Sequence, residues 1–382
     1  MSKCLKLEKE LCLPPECIWV DKKRKYCRIK VTKRQSKTKS KTKSKTKSKT
    51  KSKKMGREHT YAGWEQGLAK ILVYNNNTAA KYNGKNNTIH LISTNGTTIL
   101  ELGRNIGSGT YNSIYDINDG NVLSISKYNP SSYTKMEWMD NFIYSSTIHQ
   151  VLSQDTNYKC VPNIYTFFFM LNYNKELVSL SKITQKLDMD GFYYFSRYRT
   201  EKEWLNYLVQ LADKLKYLQQ VYQFNHRDLK IDNTMLKELS TPSIINYKST
   251  NYDFNLTNLG IEWFYIDFGF SCLTTPNGIE YKSSEYFNQH ELCFRPDRDL
   301  SQLFFYCLSF VSNIPPTIKS FFIETLININ YRNTQINCLP SETIENKNDE
   351  WFAIYDIFND STFSNINGTP EMVLQNLSKL VK

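Results

Sequence analysis

Between residues 22 and 57 the chain carries 19 lysines or arginines and no acid, and from Ser36 to Lys54 it is a near-perfect S-K-T-K repeat. The repeat has no apolar side chain to bury and its lysines repel one another, so it is expected to stay disordered. Any fold must therefore form on one side of it or the other. Removing those 19 charges from the formal +12 of the 382-residue chain leaves −7. The remainder is mildly acidic, which rules out a uniformly basic nucleic-acid-binding domain. The repeat itself reads as a solvated spacer or as an arm that contacts nucleic acid or another polyanion.

No apolar run approaches the roughly 18 residues that a membrane span requires. Met1 to Glu10 carries charges where a signal peptide needs an apolar block, so the chain reads as soluble, intracellular and without membrane contact. Of nine cysteines, five (Cys160, Cys272, Cys293, Cys307 and Cys338) stand in hydrophobic sequence and read as buried thiols. The other four (Cys4, Cys12, Cys17 and Cys27) match no common zinc spacing.

Residues 1–35 form a short cysteine-containing segment, and 36–96 read as the repeat followed by an Asn-rich linker. From about Thr97 the texture changes. Ile99 to Leu102, Ser113 to Ile117 and Val122 to Lys127 read as strands, the last two joined by the turn signal Asn118-Asp119-Gly120. Phe167 to Leu171 and Leu177 to Ile183 add two more. Over Glu201 to Val221, Leu205, Leu208, Leu211, Ala212, Leu215 and Leu218 repeat at helical spacing. The last third is mainly helical, including Leu300 to Val311. Strands first and helices afterwards predict an α+β, two-lobed arrangement.

The strongest chemical signal is His226-Arg227-Asp228-Leu229-Lys230-Ile231-Asp232-Asn233, followed after an apolar run by Asp267-Phe268-Gly269. Upstream lie Gly107-Ser108-Gly109-Thr110-Tyr111-Asn112-Ser113-Ile114, and Lys127 at the end of a predicted strand. These segments resemble, in order and spacing, the Gly-rich loop, strand lysine, catalytic loop and metal-binding D-F-G of eukaryotic-type protein kinases. The resemblance covers residues 97–382, with a β-rich N-lobe over about 97–185 and a helical C-lobe over about 186–382. The lysine at position 230 matches the serine/threonine pattern. Arg298-Asp299-Leu300-Ser301-Gln302-Leu303 and the absence of A-P-E resemble the casein-kinase-1 and vaccinia-related kinases. Cys17-Ile18-Trp19 and the basic run to Cys27 resemble the two-cysteine adaptor of large DNA viruses, and the 37 asparagines fit AT-rich coding. The whole is similar to a giant-virus serine/threonine kinase acting in the host cell or virion.

That resemblance implies ATP and Mg²⁺ as cofactors and protein hydroxyls as substrates. Phosphoryl transfer asks the protein chiefly for positioning and charge stabilisation. Asp228 is then the base that orients the substrate hydroxyl, and Lys230 stabilises the transferring group. Ile106, Gly107, Gly109 and Ile114 cover the nucleotide, and glycines let backbone N–H groups approach phosphate without a Cβ in the way. Lys127 meets the phosphates, with Glu137 as its helix partner. Asn233 and Asp267 offer the hard oxygens that Mg²⁺ prefers.

The departures are specific. Asn112 replaces the third loop glycine, and Ile125 stands where a small residue lines the adenine pocket. Asn233 and Asp267 are separated by an insertion within about 237–260. The alternatives are a pseudokinase serving as a nucleotide- or protein-binding module, supported by Ile125 and Asn112, and a small-molecule phosphotransferase. The latter is disfavoured because such enzymes carry D-x-D or D-W-E in place of D-F-G.

Overall fold

A computed structural model describes residues 17–22, 24–29, 79–83, 88–93, 96–108, 112–117, 120–126, 128, 134–171, 177–282, 293–327, 329–331, 334–336, 357–358, 360, 362–381. They form a mixed α+β structure of antiparallel sheets and helices. Strands β1 (Cys17–Lys22) and β2 (Arg24–Ile29) make a hairpin in which Trp19 pairs with Cys27 and Cys17 with Ile29.

Eight strands make the main sheet: β3 (Ala79–Asn83), β4 (Thr88–Ser93), β5 (Gly96–Glu101), β6 (Asn105–Ser108), β7 (Asn112–Ile117), β8 (Asn121–Ser126), β9 (Ile164–Leu171) and β10 (Leu177–Gln185). Their order is β5-β4-β3-β9-β10-β8-β7-β6, antiparallel throughout except where β3 runs parallel to β9. Helix α1 (Lys135–Ser153) starts on a capping box, Thr134 bonding the Glu137 N–H and the Glu137 side chain bonding back. It packs Trp138, Met139 and Phe142 against Phe167 and Leu180 on one face of the sheet. Ile117, Leu123, Phe168 and Ile183 form a separate cluster on the other. Alternation along each strand gives one residue to each face in turn.

The larger core follows. Strand β11 (Met189–Asp190) leads into α2 (Gly191–Phe195) and then α3 (Glu201–Tyr222), which opens on a second capping box, Thr200 with Glu203. Leu205, Leu208, Leu211, Ala212, Leu215 and Leu218 are all buried, so the helical spacing in the sequence marks the core-facing stripe. Strand β12 (Thr234–Glu238) pairs with β11 and with β15 (Ile261–Tyr265). Between them β13 (Ile244–Lys248) and β14 (Asp253–Thr257) form an antiparallel ribbon, the structure of the sequence's insertion. Strands β16 (Cys272–Thr274) and β17 (Glu280–Lys282) follow. Helices α4 (Arg298–Phe310), α5 (Pro316–Leu326) and α6 (Pro370–Ser378) complete this part of the molecule.

Two expectations change. Residues 79–93, read as linker, contribute two strands to the main sheet: Thr88–Ser93 alternates polar and apolar residues and finds partners on both edges. Cys272 and Cys293, read as thiols, are joined as a disulfide with Cα atoms 5.9 Å apart, a separation a bridge can span. Cys160 and Cys307 are buried free thiols. Cys4, Cys12, Cys338 and the basic repeat lie outside the described residues. Among the described residues no helix is long and apolar enough to cross a membrane.

Candidate active site

Helix α3 ends at Gln223 in the left-handed region (φ 44°), which turns the chain inward. Asn225 bridges to Cys272 in a short antiparallel contact, and Asn225, His226 and Arg227 are buried. A buried run of loop backbone must have its polar groups paired, and here Asp299 near the start of α4 pairs them. Its Oδ2 accepts the His226 N–H at 2.7 Å and its Oδ1 the Arg227 N–H at 3.0 Å, while Asn225 Nδ2 donates to Oδ2 at 3.0 Å. Arg298 Nη2 donates to the Arg227 carbonyl at 2.9 Å and Ser271 Oγ to the His226 carbonyl at 3.1 Å. Arg227 itself sits at φ 67°, a costly conformation for a side-chain-bearing residue that this network holds in place.

Four of the sequence-derived residues converge at this loop. Asn233 closes a 3₁₀ turn (Ile231–Asn233), and its Nδ2 donates to the Asp228 carbonyl at 2.7 Å and to Asp228 Oδ2 at 2.9 Å. Lys230 Nζ lies 3.2 Å from the same Oδ2. The Ile266 N–H donates to the Asn233 carbonyl at 3.0 Å, which sets Asp267 beside the turn. Asp267 is exposed and its φ is 61°. Phe268 is buried, its ring 5.1 Å from His149 of α1, 5.7 Å from His226 and 6.3 Å from Phe224. His226 Nε2 bonds the Ile266 carbonyl at 2.8 Å.

The electrostatics follow from burial. Desolvation pushes the Asp228 pKa up, Lys230 pulls it down, and the Asp267 carboxylate adds to the rise. Lys230 and Asn233 both engage Oδ2; among the described residues Oδ1 accepts no hydrogen bond. Asn233 has committed its amide nitrogen, so its Oδ1 remains as a neutral oxygen donor, and Asp267 contributes an exposed carboxylate. One carboxylate and one amide oxygen suit a hard cation that also takes phosphate and water ligands. No group of three or more His, Cys, Asp or Glu residues among the described residues could hold a metal by itself.

The remaining sequence-derived residues divide. Ile106 and Gly107 on β6 and Ile114 on β7 sit together on the edge hairpin of the main sheet, Gly107 paired with Ile114. A Cβ at Gly107 would meet nothing closer than Ile114 at 3.8 Å, so packing alone does not demand a glycine there. Gly109 and Lys127 lie outside the described residues. Glu137 Oε2 accepts the Thr134 N–H at 2.6 Å, so this carboxylate is occupied by the helix cap.

Three residues were missed by sequence reasoning. Asp299 was visible only as part of a helix start, because its partners are backbone groups more than 70 positions upstream. His149 is buried behind Phe268, its Nε2 bonded to the Pro162 carbonyl at 2.8 Å. Burial and the positive charge of Lys182 hold its pKa down at about 3. Lys182 is the lone charged residue in the nine residues of β10, which is the signal that could have exposed it. No protein-family model matches the chain, and no curated protein matches it.

Proposed function

We propose that this chain is a serine/threonine protein kinase of two-lobed architecture that uses ATP and Mg²⁺. The observation that carries the reading is the convergence of Asp228, Lys230, Asn233 and Asp267 on one buried loop. That loop's backbone is fixed by Asp299. The arrangement suits in-line transfer of a phosphoryl group to a hydroxyl. Asp228 orients the hydroxyl and takes its proton at Oδ1 as the oxygen attacks the γ-phosphorus, and the bond to the bridging oxygen of ADP breaks. Lys230, beside Asp228, is within reach of the transferring group and offsets its negative charge. Asn233 Oδ1 and Asp267 would hold Mg²⁺, which supplies charge neutralisation at the phosphates.

A second reading, a pseudokinase that binds nucleotide or protein, is favoured by one observation: Glu137 is engaged in the α1 cap. The deciding experiment is a [γ-³²P]ATP assay on the full chain and on Asp267→Asn, with generic protein substrates and mass spectrometry of the products. Transfer by the wild type that is lost in the variant supports the kinase. Nucleotide binding without transfer supports the pseudokinase.

A further inference from the structure

We propose that Lys182, on strand β10, is the lysine that contacts the phosphates of the bound nucleotide. The proposal deepens the kinase reading and rests on it. In the register of the main sheet, Leu180 pairs with Ser126, Lys182 with Ser124 and Thr184 with Val122. Directly paired residues of antiparallel strands project to the same face. Leu180 packs on Trp138, Met139 and Phe142 of α1, and Trp138 Nε1 donates to Ser126 Oγ at 2.9 Å. Lys182 therefore projects on the α1 side of the sheet. Ile183, Leu123 and the partly buried Ile125 belong to the cluster on the opposite side. Ser124 beside it is small and buried, leaving room for a long side chain. On that face β8 itself presents Val122, Ser124 and Ser126 and no lysine.

The α1 face that receives Lys182 adjoins this site: His149 of α1 packs its ring 5.1 Å from Phe268. Phe268 follows Asp267 directly in the chain, so that face lies next to the carboxylate proposed to hold the metal. Burial lowers the Lys182 pKa and Asp267 raises it. Yet among the described residues Lys182 makes no ion pair, whereas Lys186, Lys214 and Lys230 each have an acidic partner within 3.2 Å. The acids of α1, Glu137 and Asp140, both lie in its first two turns. A half-buried cation gains from a compensating charge, and an anion bridging Lys182 and a metal at Asp267 would provide it. A nucleotide di- or triphosphate has that chemistry.

The test uses the full chain and an acyl-phosphate derivative of ATP, which transfers its acyl group to an amine lying at the phosphates. Tryptic mass spectrometry then locates the modified lysine. Modification of Lys182 that excess ATP suppresses is the expected result. Modification at Lys127 with Lys182 untouched would overturn the proposal, as would an absence of modification at both. In parallel, Lys182→Met should weaken MgADP binding at least tenfold. Lys186→Met, whose ammonium is paired with Asp116, should leave it within twofold. Thermal unfolding of Lys182→Met identifies a variant that has merely lost its fold, in which case the labelling of the wild type decides. The two readings separate cleanly. Labelling of Lys182 without any phosphoryl transfer sinks the kinase and leaves this site standing. Transfer that survives in Lys182→Met sinks this site and leaves the kinase standing.

Discussion

Asp299 holds the backbone N–H of His226 at 2.7 Å, across 73 positions of sequence and with both residues fully buried. The contact joins the first turn of α4 to the loop that carries Asp228, and the Arg227 N–H shares the same carboxylate. Asp299→Ala would orphan both buried donors, each costing about 1–3 kcal/mol. We expect the variant to lose on the order of 3 kcal/mol of stability, read as a lower denaturant midpoint with an unchanged slope. Asp299→Asn keeps one acceptor oxygen and should fall between the two. Equal midpoints for wild type and Asp299→Ala would refute the clamp.

Asp228→Asn should keep nucleotide binding and lose roughly 10²–10⁴-fold in turnover, because a positioned base contributes in the transition state. The pH profile carries a second check. Burial raises the Asp228 pKa and Lys230 lowers it, so the acid limb of kcat/KM should lie above the range of an ordinary aspartate. Removing the opposing cation with Lys230→Met should move the limb further up in pH. A downward shift would contradict the assignment of Asp228 as base.

His149 links pH to stability. Its pKa falls from 6.5 to about 3 in the folded protein, so the unfolded chain binds more protons than the native one between those values. Stability from this group is full above about pH 6.5 and is lost as pH falls toward 3, at up to about 1.4 kcal/mol per pH unit. Thermal melts from pH 7 to pH 4 should show a slope that His149→Phe reduces. A parallel pair of curves would rule His149 out as its source.

Gly191 opens α2 with no room for a side chain. A Cβ there would lie 2.6 Å from the Ile231 carbonyl oxygen and 2.6 Å from Thr234 Oγ1. Ile231 belongs to the turn that aims Asn233 at Asp228. Gly191→Ala should cost about 1–3 kcal/mol by overpacking and reduce turnover more than nucleotide binding. Wild-type kinetics in this variant would show that the turn absorbs the methyl group freely.

The basic repeat predicts a salt dependence. An arm engaging about six phosphates makes log affinity for DNA or RNA fall with log salt at a slope near −5. Filter binding before and after deletion of residues 36–54 measures it. Unchanged binding in the deletion would reduce the arm to a spacer.

How much of this could be read from the sequence depended on how local the signal was. The segment from His226 to Asn233 and Asp267-Phe268-Gly269 are contiguous strings, and α3 declares itself through six buried apolar residues at one spacing. Strands β3 and β4 were hidden because they are short and flanked by Asn-rich sequence, and they are held by pairing with each other and with β9 and β5. The Cys272–Cys293 bridge could not be read from spacing, since it closes across a segment whose path depends on the fold. Lys182 required knowledge of which face of β10 meets α1. Alternation along a strand divides residues into two sets but does not say which set faces the site.

The β13–β14 ribbon and helix α6 meet late in the life of each molecule. Glu371 accepts from Ser249 Oγ and Asn251 Nδ2 and pairs with Lys216 of α3, while Val373, Leu374 and Leu377 complete the core. Ser249 and Glu371 are 122 residues apart. At the ribosome's pace of roughly 5–20 residues per second, some 6–25 seconds separate their synthesis. Throughout that interval the growing chain carries apolar surface whose covering helix does not yet exist. Nascent molecules of this protein should therefore be clients of ribosome-associated chaperones until α6 emerges, and expression at lower temperature with added chaperone should raise the soluble yield.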